Sequence, residues 1–260
     1  MLYFTAGEGT LWLAPPGPWV GDGPAEADRP GRTPEELELD ASRRARGAMR
    51  RWARHNRLDH LGTLTNADVV LDYGEMSRRV DGFFRRMRED GFRIPVAVVI
   101  EPHPGGHGWH AHFGAPRFIS VRRLRAWWPH GRIDIQGPRD CPAGARGPRK
   151  LSRYLAKYIG KAIAGEELHG CSPRPAGAHR WWHTQGFEPP PVRVRFNRLA
   201  EAMDFLRRSY GEPDLMKAFG EGESYRPEGY WLSFPDELLR EPPAWLLHPG
   251  WAGGRDPPRR

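Results

Sequence analysis

Between Gly74 and Asp90 apolar residues recur at Met76, Val80, Phe83, Phe84 and Met87, while Arg78, Arg79, Arg85 and Arg86 fill the positions between. That spacing predicts an amphipathic helix, closed by Gly91. Upstream, Thr33, Pro34 and the pair Glu35 and Glu36 form a helix start, and the pattern carries a helix with one break to about Arg54. The segment DHLGTLT reads as a short strand. Two runs, Ile94 to Glu101 and Gly108 to Ala115, flank the turn residues Pro104, Gly105 and Gly106 and predict an antiparallel hairpin. Ser120 is placed to cap a short helix bearing Val121, Leu124, Trp127 and Trp128. Further along, the pattern predicts a strand over 132–136, a helix over 150–164, strands over 180–187 and 192–196, and a helix over 197–210.

This order of elements predicts an α+β fold, an antiparallel sheet with helices packed on one face. Residues 1–33, rich in Gly and Pro without a period, read as a disordered tail, and 34–57 as a basic helical extension. Residues 58–210 read as the catalytic domain, and 211–260 as an acidic extension containing Pro and Trp, so both ends are expected to be flexible. No repeat with a period of 20–50 residues is present.

The net charge of +8 conceals a segregation: residues 1–40 hold eight acids against two arginines, and 211–241 eight acids against three basic residues. Residues 41–210 hold 32 Lys and Arg against 15 Asp and Glu, the footprint of a polyanion binder. The candidate phosphate contacts are Arg50, Arg51, Arg54, Arg78, Arg79, Arg149, Lys150 and Arg153. The apolar runs are too short to span a bilayer, and the first residues lack the basic start of a secretory signal, so the expected location is the cytoplasm. Cys141 and Cys171 are too few for a disulfide framework or a cysteine zinc site.

Candidate chemistry is concentrated in two places. In EPHPGGHGWHAHFG, strand alternation turns His110 and His112 to one face and Trp109, Ala111 and Phe113 to the other. A turn centred on Gly105 and Gly106 sets Glu101 opposite His110, giving two imidazoles and a carboxylate, a donor set suited to Mn²⁺, Mg²⁺ or Zn²⁺. His103 and His107 in the turn are competing ligands for a zinc site, and two histidines on the wet face of a sheet are otherwise ordinary surface residues. In SRYLAKYIGKA, Tyr154 and Tyr158 lie one helical turn apart, bordering the apolar stripe, and Lys157 and Lys161 follow each at the third position. A tyrosine is a weak nucleophile unless a cation stabilises the phenolate and the charge at phosphorus. Basic charge, a metal face and a Tyr/Lys helix together describe attack on a DNA phosphodiester.

In this order, LGTLT at 61–65, WHAHFG at 109–114 and YLAKYIGK at 154–161 resemble the motifs of the HUH endonuclease superfamily. They are most similar to rolling-circle replication initiators (Rep proteins), in particular the phage gene A type with two tyrosines. Ala111 departs from the bulky residue usual inside the histidine motif, and no phosphate-binding G-x-x-x-x-G-K-[ST] loop follows Ala164. The resemblance implies an RRM-like sheet in which His110, His112 and Glu101 hold Mg²⁺ or Mn²⁺. It also implies that Tyr154 and Tyr158 attack in turn, leaving a 5′-phosphotyrosine and a priming 3′-hydroxyl, with Lys157 and Lys161 stabilising the phosphate. The implied partners are single-stranded or origin DNA and a host helicase, with neither a membrane nor a small-molecule cofactor. A two-tyrosine transposase, a relaxase, a non-catalytic single-strand binder and a small zinc hydrolase are the competing readings.

Overall fold

The computed structural model describes residues 2–5, 8–12, 33–142, 146–161, 168–189, 192–194, 196, 198–219 and 229–235. The chain divides into two compact units, one of residues 26–187 and one of residues 1–25 with 188–260. These boundaries replace the expected order of tail, helical extension, domain and acidic extension.

In the first unit the order is α1 (Pro34–His55), β3 (His60–Leu64), α2 (Tyr73–Glu89), β4 (Ala97–Pro102), β5 (Trp109–Ala115), α3 (Val121–Trp127), β6 (Ile133–Gln136), α4 (Pro148–Lys161) and β7 (Trp182–His183), where β1 (Leu2–Thr5) and β2 (Glu8–Trp12) belong to the other unit. The sheet order is β6-β3-β5-β4-β7, every pair antiparallel. The run β3-α2-β4-β5-α3-β6 is thus a split βαβ repeat of the ferredoxin or RRM kind, with β7 added at one edge.

Local signals place the helices. Thr33 and Glu36 close a reciprocal capping box on α1, while Asp72 and Ser120 accept the first-turn amides of α2 and α3. α1 runs unbroken for 22 residues, without the predicted interruption.

Strand alternation splits the core in two. Val98, Ile100, Trp109, Ala111 and Phe113 pack beneath α2 and α3, whose Met76, Val80, Phe83, Met87, Leu124 and Trp127 are all buried. This is the expected packing of helices on one face. Leu61, Ala97 and Val99 on the opposite face take Met49, Trp52 and Ala53 of α1 and Leu151, Leu155 and Ile159 of α4. α1 is therefore part of the core unit, held also by Glu38, which pairs with Arg174 and, at 2.6 Å, with Arg180.

Two glycines permit close approach. Gly62 pairs with Phe113, and a Cβ on it would lie 2.0 Å from the Phe113 ring. At Gly114 a Cβ would meet Leu155 at 2.9 Å, so the glycine lets α4 settle against β5.

The second unit contains a sheet ordered β8-β1-β2-β10-β9, with β8 Val192–Val194, β9 Leu215–Phe219 and β10 Gly229–Ser233. α5 (Leu199–Tyr210) buries Ala202, Leu206 and Tyr210 with Leu11, Leu232 and Phe234. Residues 2–5 and 8–12, expected in a disordered tail, are thus sheet strands, and the expected acidic extension supplies β9 and β10. The strand predicted over 180–187 is reduced to the two residues of β7, and the end of the helix predicted to 164 lies outside the described residues.

Candidate metal centre and tyrosine face

The hairpin register is the predicted one, with Glu101 opposite His110 and Val99 opposite His112. Glu101, His110 and His112 consequently share one face, and their side chains are only 6%, 8% and 12% exposed. His112 Nε2 lies 3.0 Å from Glu101 Oε2 and 3.1 Å from His110 Nε2, and His110 Nε2 lies 3.6 Å from the same carboxylate oxygen. Neighbouring donors in an octahedral shell with bonds of about 2.1 Å are separated by about 3.0 Å, so this spacing and donor chemistry fit a divalent cation bound on one triangular face. Among the described residues this is the one cluster of three potential metal ligands.

Support comes from β3. Thr63 is the register partner of His112, and its hydroxyl sits 3.2 Å from Nδ1, which fixes the ring so that Nε2 faces the triad. Sequence reading missed this role, although alternation within LGTLT already sets Thr63 on the face opposite buried Leu64. His103 and His107 stand apart from the triad. The His103 ring is 5.2 Å from that of His110, but its Nδ1 accepts the Gly105 amide and so serves the turn.

α4 brings both tyrosines onto this face. Tyr158 stacks on His112 with ring centroids 4.7 Å apart and planes 20° off parallel, and Tyr154 meets Tyr158 edge-on at 5.3 Å. Lys157 Nζ lies 4.1 Å from the Tyr154 ring centre and 4.7 Å from that of Tyr158. The two phenols differ in environment: Tyr158 is 4% exposed, whereas Tyr154 is half-buried. Burial first, then a hydrogen bond with Tyr154 and the charge of Glu101, push the Tyr158 hydroxyl well above the ordinary phenol range.

The candidate phosphate contacts separate into groups. Lys150, Arg153 and Lys157 are exposed along one side of α4, beside Tyr154. Arg149 is half-buried on the same helix, and the Lys161 side chain lies outside the described residues. Arg50 and Arg51 are half-buried on α1. Arg54 is a correction: it is fully buried, because its position falls on the side of α1 that packs inward with Trp52 and Ala53. Arg79 is held by Asp68 at 2.7 Å and Glu75 at 2.6 Å, which draws its charge away from any phosphate, while Arg78 is exposed.

A sheet carrying a candidate metal triad next to paired tyrosines defines a class of protein before any relative is consulted: one equipped for phosphoryl chemistry on a polyanion. Residues 59–163 match the family of replication-associated proteins of the ORF2 type. The matched segment begins just before β3 and runs through the hairpin to the end of α4, so it contains the triad and both tyrosines. The match supports a Rep-type protein acting in DNA replication. No curated protein and no solved structure matches the chain. No described helix is long and apolar enough to cross a membrane.

Proposed function

We propose that residues 26–187 nick and rejoin single-stranded DNA at a replication origin, through a covalent 5′-phosphotyrosine and with Mg²⁺ or Mn²⁺ as cofactor. The observation that carries this reading is the stack of Tyr158 on His112, which puts the tyrosine pair against the candidate metal triad. A divalent cation bound by Glu101, His110 and His112 would withdraw charge from a non-bridging phosphate oxygen. Tyr154 is the better-exposed phenol and makes the first attack. Its oxygen forms the bond to phosphorus, the bond from phosphorus to the 3′ oxygen breaks, the phenolic proton passes to water, and the 3′ oxygen takes up a proton. Lys157 lies across both rings and stabilises the negative charge that builds there, and Lys150 and Arg153 hold the flanking phosphates. Tyr158 is the candidate for the second cleavage that the two-tyrosine resemblance implies, with Lys161 following it in the chain. A host helicase would extend the opened strand.

The test is incubation with pooled single-stranded oligonucleotides and Mn²⁺ or Mg²⁺, followed by a denaturing gel. A protein band shifted by covalent DNA is expected, lost with chelator, with His110→Ala and with the double Tyr154→Phe/Tyr158→Phe variant. A band that survives the double variant refutes the phosphotyrosine. Salt-sensitive binding without a covalent product from an origin-containing pool would make the unit a binding module instead.

A further inference from the structure

The side of α2 turned away from the sheet, opposite the metal face, opens into a cleft of about 650 Å³. Its two carboxylates are already engaged, Glu75 with Arg79 at 2.6 Å and Asp81 with the Trp182 indole at 2.9 Å. Arg86 is fixed by donating to the Trp127 carbonyl at 3.0 Å. Three cations are left for a ligand. Arg78 and Arg85 are 74% and 62% exposed, with their nearest carboxylates at 4.0 Å and 3.8 Å, distances at which surface pairs contribute little. Arg88 is exposed and has no ion-pair partner among the described residues. Burial, then the charges of Arg79 and Arg86, hold the His130 imidazole below its ordinary pKa, in keeping with a positive field at the cleft floor.

The ligand class follows from what lines the cleft. Arg78 and Arg85 are seven residues apart, about 10.5 Å along the helix, with Arg88 almost a turn further on. Apart from His130, no lining residue offers a ring on which an unpaired base could stack. A surface of that kind recognises the sugar-phosphate backbone and is indifferent to bases, and duplex DNA presents the denser phosphate charge. We propose that the α2 cleft docks double-stranded DNA flanking the strand held at the triad, so that duplex and single strand lie on opposite faces of one sheet. This rests on the reading of the unit as a DNA nickase.

The test uses the full chain carrying Arg78→Gln, Arg85→Gln and Arg88→Gln together, compared with a triple Lys variant. Affinity for a blunt fluorescent duplex is measured against salt, alongside covalent adduct formation on a single-stranded oligonucleotide. Three lost phosphate contacts are expected to reduce the slope of log K against log salt by about 2.7. Adduct formation should be unchanged, and the lysine variant should retain the duplex slope. An unaltered slope in the glutamine variant overturns the proposal, as does a slope that lysine fails to retain. Equal losses on duplex and single strand overturn it too, because the arginines would then serve the cleavage strand. If the wild-type chain forms no adduct, the nickase reading falls, and the duplex slope alone decides the cleft.

Discussion

Gly62→Ala tests the packing that holds the metal face in register. The added Cβ would lie 2.0 Å from Cε1 and Cζ of Phe113, so a ring that is fully buried would have to move by more than an ångström. Phe83 blocks its retreat, with ring centroids 6.3 Å apart and Phe83 itself fully buried. The overlap is with a ring wedged under α2, not the free end of a flexible chain, so the cost belongs in the upper part of the overpacking range, about 2–3 kcal/mol. Because the chain has two units, a local measurement is the right one. Amide exchange in peptides covering 60–64 and 109–115 should accelerate by roughly 30- to 150-fold. Mn²⁺ affinity should fall as well, since β3 carries Thr63 to His112. Phe113→Leu in the Gly62→Ala background should recover part of the exchange protection, a favourable coupling between neighbours. Wild-type exchange in Gly62→Ala would refute the pairing of Gly62 with Phe113, and with it the placement of Thr63.

Thr63→Val removes the contact with His112 Nδ1 and should weaken Mn²⁺ binding about tenfold while leaving thermal stability nearly unchanged; equal affinity by titration calorimetry would show that Thr63 does not orient the ring. Saturating Mn²⁺ at about 100 times its Kd should stabilise the wild-type chain by about 2.7 kcal/mol, and Glu101→Gln should abolish that gain in a thermal melt; a gain that persists places the cation elsewhere. Tyr158→Phe retains the ring stacked on His112 and should leave the fold within about 1 kcal/mol of wild type, whereas Tyr158→Ala empties a buried site and should cost about 3–5 kcal/mol; similar losses in the two would contradict the stack. Glu38→Gln, which removes the charge shared by Arg174 and Arg180, should cost about 1–3 kcal/mol in urea unfolding, and a neutral result would make those pairs incidental.

The hairpin was legible in the sequence because its information is local. His110 and His112 alternate with Trp109, Ala111 and Phe113, and the Gly-rich turn sets Glu101 opposite His110. The buried stripe of α2 was equally plain, since Met76, Val80, Phe83 and Met87 stand among arginines at helical spacing. α1 was harder to read. Ala45, Met49, Trp52 and Ala53 are its apolar positions, but the surrounding arginines gave it the look of a solvated helix, and Arg54 was carried along with them. β1 and β2 were hidden by the Gly and Pro that follow them, and their partners lie far along the chain. The pairing of Leu2 with Val194 is settled by tertiary contact, which no local window contains. Spacing placed Tyr154 and Tyr158 on one helical face. Which of them meets His112 depends on how α4 is rotated where Gly114 admits Leu155.

The candidate centre is assembled from pieces of very different reach along the chain. Glu101, His110 and His112 fall within one hairpin, so a single tight turn closes the cation-binding half at little entropic expense. The nucleophile half forms only when α4 comes back across the sheet, after β6 and the loop that follows it. During folding, then, the hairpin is able to collect a cation before any tyrosine reaches it. A variant that loosens α4 alone would be expected to remain a metal trap that cuts nothing, and a cell making it would hold an inert binder in place of a nuclease.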